Sequence, residues 1–295
     1  MSDSAIGLGI LLGAVARLYM LRSDYRRYPS YPHGYVIHLA LGLVAAAVGA
    51  VAPVALMARE YVAVTFLTLV AQQFREIRRM ERESLQRLDE WELVRRGPDY
   101  IEGIARVFEA RNYLVMMVAL ITSWTTAATG RRWPGLVAGA AAMLLAAVLT
   151  EGQRLGKICR VQPASLHFRG PDLYVGDIRL MNVGLPRMRE EILRWGLGLI
   201  LEPVDQNAVD SLANVGQRQA LLHDLTAVLG TRRDLDVAEL APLARRDGAT
   251  GRVGVVIVPA EPDLEAALEA ARRVPLLEAS RGRALKSQAG RRAAD

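Results

Sequence analysis

The chain has 295 residues, a formal net charge of +6 at neutral pH and a hydrophobic fraction of 52%, with a mean hydropathy of +0.16. Charged residues are also frequent, at 23%, but they lie in blocks apart from the apolar runs. This segregation is typical of a membrane protein with soluble parts. The basic residues flank apolar runs, which disfavours nucleic acid as the partner. Cys159 is the single cysteine, so intrachain disulfides and thiolate metal clusters are excluded.

The first half of the chain predicts membrane-spanning helices in residues 5–21, 35–51, 54–74, 113–129 and 136–149. Arg17 near the end of the first run is expected to snorkel to the membrane surface. The apolar stretch 35–74 is too long for one span, and Gly49 and Pro53 predict a turn within it. No basic segment precedes the first run, so a cleaved signal peptide is not expected.

Arginine and lysine set the expected orientation, because they favour the cytoplasmic side of a membrane. The loop at residues 22–33, the block at 75–112 and the residues Arg154, Lys157 and Arg160 all belong on one side. This distribution predicts an N-terminus outside the cell, a cytoplasmic C-terminus and about five spans in the cell membrane.

The block between the third and fourth predicted spans is the most distinctive string of the sequence. Residues 71–112 hold nine arginines, and Gly97-Pro98 is expected to end the helix that continues from the third span. Asp99 is then expected to cap a short helix from Tyr100 that leads into the fourth span. Within the cytosolic loop 75–112, residues 100–105 are interpreted as a polar hinge between the third and fourth spans.

After Pro163 the pattern changes to strands alternating with helices. Extended structure is predicted over residues 173–183, 197–202 and 252–259, and helices over 187–195, 206–229 and 264–273. The expected fold is an α-helical polytopic membrane domain over residues 1–160, followed by a small cytosolic α/β domain over 161–278. Residues 279–295 are expected to form a basic, disordered tail.

Tyr100-Ile101-Glu102-Gly103-Ile104-Ala105, together with residues 71–76, 96–97 and 108–113, resembles the signature of the YIEGIA family, which is named after this hexad. Residues 181–185, 216–220 and 250–253 are also similar to that family. The resemblance implies an integral membrane protein of endospore-forming bacteria, associated with sporulation and, for some members, with a small capping subunit. It supplies no catalytic residue and no cofactor.

Polar residues in two segments are the candidate interaction site, either for a protein partner or for coupling the loop to the soluble domain. The alternative is a solvated juxtamembrane helix with mutually paired charges. Gln217 and Arg218 are candidates for a polar ligand or protein partner, and His223 with Asp224 makes only a weak metal site. The candidate residues are Tyr100, Glu102, Arg106, Glu109, Arg111, Asn112, Gln217, Arg218 and Gln219.

Two further patterns lie within the predicted spans. Gly42, Ala46 and Ala50, and likewise Ala138, Ala142 and Ala146, place small residues on one helix face, which predicts close helix packing within the chain or in a homo-oligomer. A transport pathway needs polar groups in mid-span. His38, Thr65, Thr68, Thr122, Ser123, Thr125 and Thr126 are the polar groups available, but the threonines are expected to bond to carbonyls of their own helices.

The sequence therefore favours a non-catalytic membrane scaffold or assembly protein over a transporter or channel gated by its cytosolic domain. A membrane enzyme is the third alternative. The expected partners are the lipid bilayer and another protein. Lys157 and Arg160 beside Cys159 would favour the thiolate, but the absence of a nearby His/Asn arrangement favours an ordinary thiol.

Overall fold

A computed structural model describes residues 2–24, 32–92, 94–150, 153–232, 240–277 and 280. The chain divides into a helical unit of residues 1–84 and 104–151 and an α/β unit of residues 85–103 and 152–295. The sequence-based boundaries had placed residues 85–103 with the membrane domain. Most of the predicted loop at 22–33 and the predicted tail beyond Ser280 lie outside the described residues.

The helices of the first half are α1 (Ser2–Asp24), α2 (Pro32–Met57), α3 (Tyr61–Asp89), α4 (Pro98–Thr129) and α5 (Arg132–Thr150). Among the described residues, three stretches are long and apolar enough to cross a membrane: Asp3–Arg22, Gly34–Met57 and Arg132–Thr150. Helices α3 and α4 each combine an apolar part with a charged part. The helical region with apolar spans is therefore observed, and the count of about five spans stays a prediction.

The turn predicted at Gly49 and Pro53 is wrong, because α2 continues through Pro53 to Met57. The chain turns at residues 58–60, where Arg59 adopts a left-handed conformation with φ 62° and Glu60 N–H bonds to the Ala55 carbonyl at 2.9 Å. Gly49 serves another purpose: a Cβ there would overlap the backbone carbonyl of Met116 on α4. This glycine allows two helices to approach closely.

Small residues also join α1 to α2, as their spacing predicted. A Cβ on Gly13 would lie 2.7 Å from the Cβ of Ala46, and one on Gly9 would lie 2.8 Å from that of Ala50. The small face of Gly42, Ala46 and Ala50 therefore packs within one chain. On α5, Ala146 belongs to the same core and Ala142 packs against it, so part of its alanine stripe is used within the helical unit as well.

The α/β unit contains two antiparallel sheets. The larger has the order β1 (Cys159–Pro163), β5 (Leu197–Pro203), β7 (Val253–Ile257) and β6 (Leu243–Arg246). The smaller consists of β2 (Leu166–Arg169), β3 (Asp172–Val175) and β4 (Ile178–Asn182). All residues of β7 are buried, because it lies between two strands and its Gly254 faces Ile178 and Leu180 of the smaller sheet.

The helices of this unit are α6 (Leu155–Ile158), α7 (Pro186–Trp195), α8 (Gln206–Ala213), α9 (Val215–Leu229) and α10 (Leu264–Arg273). Helices α7 and α10, and strands β5 and β7, lie where the sequence predicted them. Two predictions need correction. Residues 173–183 form a hairpin that turns at Gly176, where φ is +58°, and the single helix predicted over 206–229 is two helices.

Asn214 divides α8 from α9 because it adopts an extended conformation, with φ −65° and ψ 125°. Its side-chain Oδ1 accepts a hydrogen bond from Gln217 N–H at 3.0 Å and thereby caps α9. The same residue is the C-cap of α8, whose last carbonyls need other donors.

Candidate functional site

The hexad lies inside one uninterrupted helix. Helix α4 starts at Pro98, two residues before the hexad, and continues to Thr129. Tyr100, Ile101, Gly103, Ile104 and Ala105 are buried, and Glu102 is half-buried. The predicted polar hinge is therefore wrong: the hexad is mostly apolar, and its residues 100–103 belong to the α/β unit while 104 and 105 belong to the helical unit.

We call residues 85–103 the hexad segment, since they carry the start of the hexad into the α/β unit. Its path is fixed at one end by Asp89, the last residue of α3, which is only 6% exposed. The Asp89 carboxylate accepts hydrogen bonds from Arg96 N–H at 2.6 Å and Gly97 N–H at 3.2 Å. These two hydrogen bonds hold the turn of the chain between α3 and α4.

The first turn of α4 is held by helix α9. The Tyr100 N–H donates to the Gln219 side-chain Oε1 at 3.2 Å, which satisfies an amide that a helix start leaves without an intrahelical partner. This corrects the prediction that Asp99 caps a helix from Tyr100, because Pro98 and Asp99 are already helical. Gly97 has φ +82°, and a Cβ there would overlap the Gln219 side chain.

The starts of the two helices come into backbone contact. A Cβ on Gly216, near the start of α9, would lie 2.8 Å from the carbonyl oxygen of Asp99 and 3.1 Å from Tyr100 N. Only glycine leaves room for this approach. On α4, Gly103 faces Leu277, whose Cδ1 would lie 3.6 Å from a Cβ there. The hexad segment thus packs against α9 and the residues after α10.

Glu92 and His223 add a contact between side chains of the hexad segment and α9. The Glu92 Oε2 lies 3.0 Å from His223 Nε2, and its other oxygen pairs with Arg96. The Tyr100 ring lies edge-on to the His223 ring at 6.2 Å between centroids. His223 Nδ1 is 3.5 Å from Asp224, and no group of three or more metal-ligating side chains occurs among the described residues.

Gln217 is a buried bridge, 1% exposed. Its Nε2 donates to the Pro275 carbonyl at 3.1 Å, and its Oε1 accepts from Leu277 N–H at 2.7 Å and from the Ser280 hydroxyl at 3.0 Å. All these contacts are internal to the α/β unit, so Gln217 joins α9 to the chain after α10. Ser280, the residue of the predicted tail at 279–295 that the structure describes, is buried at 2% exposure.

Arg218 supplies the donors that the end of α8 needs. One of its terminal nitrogens donates to the carbonyls of Leu212 at 3.0 Å and Ala213 at 2.6 Å. Burial lowers the pKa of the Arg218 guanidinium, and the positive charge of Arg246 lowers it further. Gln217, Arg218 and Gln219, the candidate residues of α9, each form a hydrogen bond within the α/β unit. Their role in binding a partner stays a prediction.

The other candidate residues lie in the helical unit. Glu109 forms an ion pair with Arg78 of α3 at 2.9 Å, and Arg111, 1% exposed, donates to the Thr150 carbonyl at 3.5 Å. Arg106 is exposed. Asn112 is fully buried, and neither its Oδ1 nor its Nδ2 has a hydrogen-bond partner among the described residues. The structure thus separates the nine candidates into two sets.

A buried polar cluster in the helical unit was not predicted. Arg17 does not snorkel but is 0% exposed, and its guanidinium bonds to the His38 carbonyl at 3.3 Å and lies 3.0 Å from His38 Nδ1. Arginine carries only donors, so Nδ1 is the acceptor and the proton of the neutral ring is on Nε2. This nitrogen faces Glu81 Oε1 at 3.5 Å.

Phe108 and Gly42 pack against this cluster. The Phe108 ring lies 5.7 Å from the Arg17 guanidinium carbon and 4.6 Å from the His38 ring centre. A Cβ on Gly42 would overlap the methylene groups of Arg17. The signal in the sequence was the single arginine within the first apolar run, since a buried charge needs partners.

The hydroxyl groups of the predicted spans bond as expected. Thr65, Thr68, Thr122, Thr125 and Thr126 each donate to the carbonyl four residues earlier, at 2.7 to 2.9 Å. Ser123 instead donates to the Ala50 carbonyl of α2 at 2.6 Å. The threonine hydroxyls are thus used within their own helices.

Cys159 is 3% exposed, and its thiol donates to the Leu155 carbonyl at 3.2 Å. Lys157 and Arg160, which would favour the thiolate, are exposed while the thiol is buried. Burial raises the pKa of Cys159 to about 12, so the influence expected from these two neighbours is overridden.

We expect the Cys159 thiol to react slowly with a water-soluble disulfide reagent at neutral to mildly alkaline pH, because only the thiolate attacks. Unfolding in denaturant should restore the rate of an ordinary thiol. The measurement is the rate of colour release with and without denaturant. Equal rates in the folded and unfolded chain would contradict the burial of this thiol.

Comparison with known proteins matches residues 5–287 to the family model described as YIEGIA protein. The chain is also 46% identical over 270 residues to the "Uncharacterized protein YphB" of Bacillus subtilis (strain 168), an alignment that covers 92% of this chain and 91% of the relative. No solved structure matches. The match to the family model spans both the helical unit and the α/β unit, so the chain belongs to the YIEGIA family.

Proposed function

We propose that this protein is a non-catalytic membrane scaffold that presents its α/β unit to a protein partner in the cytoplasm. It would cross the cell membrane about five times, with its N-terminus outside and its C-terminus inside. The setting we propose is sporulation, because the relative that is 46% identical to this chain comes from Bacillus subtilis, an endospore former. A small capping subunit, implied by the family resemblance, is the kind of partner we expect.

The membrane location is supported by the outward faces of the apolar helices. Large apolar side chains are exposed on α1, α2 and α5, among them Leu11 at 58%, Val36 at 68% and Leu144 at 67%. An apolar surface of this extent is unfavourable in water and favourable against lipid. The arginine-rich ends of the predicted spans support the orientation.

The scaffold role is supported mainly by the bond between Tyr100 N–H and Gln219 Oε1. The most characteristic residues of the chain hold the start of a long helix against α9, which is a positioning task. Glu92 and Gln217 likewise join stretches that are far apart in the sequence, and Asp89 holds the turn within the hexad segment. Such bonds are suited to giving the α/β unit a defined surface for a partner.

The test is recovery of a partner from native membranes. The tagged full chain would be cross-linked in sporulating cells, solubilised and purified, with an equally tagged, unrelated multi-pass protein as control. We expect a protein that is enriched with this chain and absent from the control. Recovery of the same proteins with both baits would contradict the scaffold proposal.

A transporter or channel is the second candidate, and the buried cluster of Arg17, His38 and Glu81 favours it. Ionisable groups inside an apolar helical unit are costly, and they often mark a pathway for ions or protons. The threonines proposed from the sequence to line a pathway are already bonded within their helices. Solute or ion flux in proteoliposomes that is lost on His38→Gln would favour transport over scaffolding.

A further inference from the structure

Strand β6 is at the end of the larger sheet, and among the described strands it pairs only with β7. The next pair in the same register is bonded, since Asp247 N–H donates to the Arg252 carbonyl at 2.8 Å. Bonded and non-bonded pairs alternate along an antiparallel ladder. The backbone N–H and C=O groups of Ala244 and Arg246 are therefore directed away from β7, towards the free edge.

The side chains of β6 divide between two faces. Arg245 donates to the Leu180 carbonyl of β4 at 2.9 Å, so Leu243 and Arg245 face the smaller sheet. Alternation places Ala244 and Arg246 on the opposite face, beside α9. Helix α9 packs against β6 and carries Arg218, and the nearby positive charge of Arg246 lowers the pKa of the Arg218 guanidinium.

This edge carries positive charge for which the described residues supply no paired carboxylate. Among the residues that the structure describes, no carboxylate forms an ion pair with Arg246 or Arg218. Arg246 is exposed, and the Arg218 contacts are carbonyl oxygens. Pairing two copies of the chain through β6 would bring like charges together, which disfavours a second copy as the occupant.

We infer that the free edge of β6 binds an acidic, extended peptide segment of a partner protein as an added strand. The backbone groups of Ala244 and Arg246 supply the ladder bonds, and Arg246 with Arg218 selects acidic side chains on the α9 face. The inference deepens the proposed function, on which it rests, by giving the scaffold a binding surface and its partner a chemistry.

The test is binding of fluorescent peptides to the purified full chain in detergent micelles, followed by anisotropy. An eight-residue peptide of alternating glutamate and valine is the probe, and a lysine–valine peptide and a glutamate–proline peptide are its controls. We expect only the glutamate–valine peptide to bind, more weakly as salt is added, since salt screens exposed charges.

Two variants test separately how the backbone hydrogen bonds and the positive charge contribute to peptide binding. Ala244→Pro removes an outward N–H that β7 does not use, which an edge strand tolerates, and Arg246→Glu reverses the charge. Each is expected to weaken binding about tenfold, as for loss of a charged contact or a ladder bond. Arg160→Glu, a charge reversal on the opposite edge strand β1, should leave binding unchanged.

Failure of the acidic peptide to bind, or equal binding of the glutamate–proline peptide, would overturn the inference. Binding that appears only after Asp234 and Asp236 are replaced by asparagine would also overturn it, because the acidic residues of 233–239 in the same chain would then be the occupant. Neither result affects the cross-linking test of the scaffold, where partner recovery from the Arg246→Glu chain would show a partner that uses another surface.

Discussion

Replacing Gln217 by methionine is expected to lower the free energy of unfolding of the α/β unit by about 2 to 4 kcal/mol. Methionine is similar in size but lacks both polar atoms, so the buried Leu277 N–H and Pro275 carbonyl lose their partners. Ser280 retains the Leu277 carbonyl as an acceptor at 2.8 Å. The cost therefore comes from a buried N–H and a half-buried carbonyl that are left without a hydrogen bond.

The single cysteine gives a local measurement of this loss. Cys159 lies in the α/β unit and is buried, so its labelling rate in increasing urea reports the opening of that unit. Gln206→Met is the matched control, because Gln206 is exposed at the start of α8. We expect the urea midpoint to fall for Gln217→Met and to stay the same for the control. Equal midpoints would show that the Gln217 bonds contribute little.

Gly49→Ala is expected to lower the stability of the helical unit, and this is the second large effect. The added methyl group would overlap the Met116 carbonyl, a backbone atom that moves only with α4. Such overpacking typically costs about 1 to 3 kcal/mol. The intrinsic preference of alanine for a helix, about 1 kcal/mol over glycine, acts in the opposite direction and is expected to be outweighed.

Gly7→Ala is the matched control for this substitution. Gly7 is also helical, on α1, but nothing lies within 4 Å of a Cβ there. Thermal unfolding in micelles, followed by size-exclusion chromatography, should show a lower midpoint for Gly49→Ala and an equal or higher one for Gly7→Ala. A Gly49→Ala chain as stable as the wild type would mean that α2 and α4 are not in close contact at Met116.

Local patterns were sufficient to predict much of the fold. The four-residue spacing of Gly42, Ala46 and Ala50 predicted a close helix contact, which α1 supplies. The apolar run in residues 252–259 predicted the buried strand β7. In both cases the signal lies in consecutive or helix-neighbouring residues, where side-chain periodicity reflects burial directly.

The candidate site was harder to predict because its bonds join distant residues. Tyr100 and Gln219 are 119 positions apart, and Gln217 and Leu277 are 60 apart. Polar side chains crowded on α9 therefore favoured a ligand or partner site, although their partners are backbone groups elsewhere in the chain. Strand β6 was missed as well, since Leu-Ala-Arg-Arg has no alternation of apolar and polar residues.

Pro53 is a second case, in the helical unit, where a local sequence pattern did not predict the structure. Gly49 and Pro53, four positions apart, predict a turn on local grounds. The observed helix continues through Pro53, and Gly49 is used for a close contact with Met116 of α4. That contact, like the Gln219 bond, depends on a residue far away in the sequence.

The central claim is that the hexad segment is bound to α9 through Gln219, and residue-resolved hydrogen exchange of the Tyr100 amide tests it directly. First-turn amides have no intrahelical acceptor and ordinarily exchange fast, so Asp99 in the same turn is the internal reference. We predict slow exchange at Tyr100 in the full chain and fast exchange in Gln219→Leu. Exchange at Tyr100 as fast as at Asp99 in the wild-type chain would contradict the account.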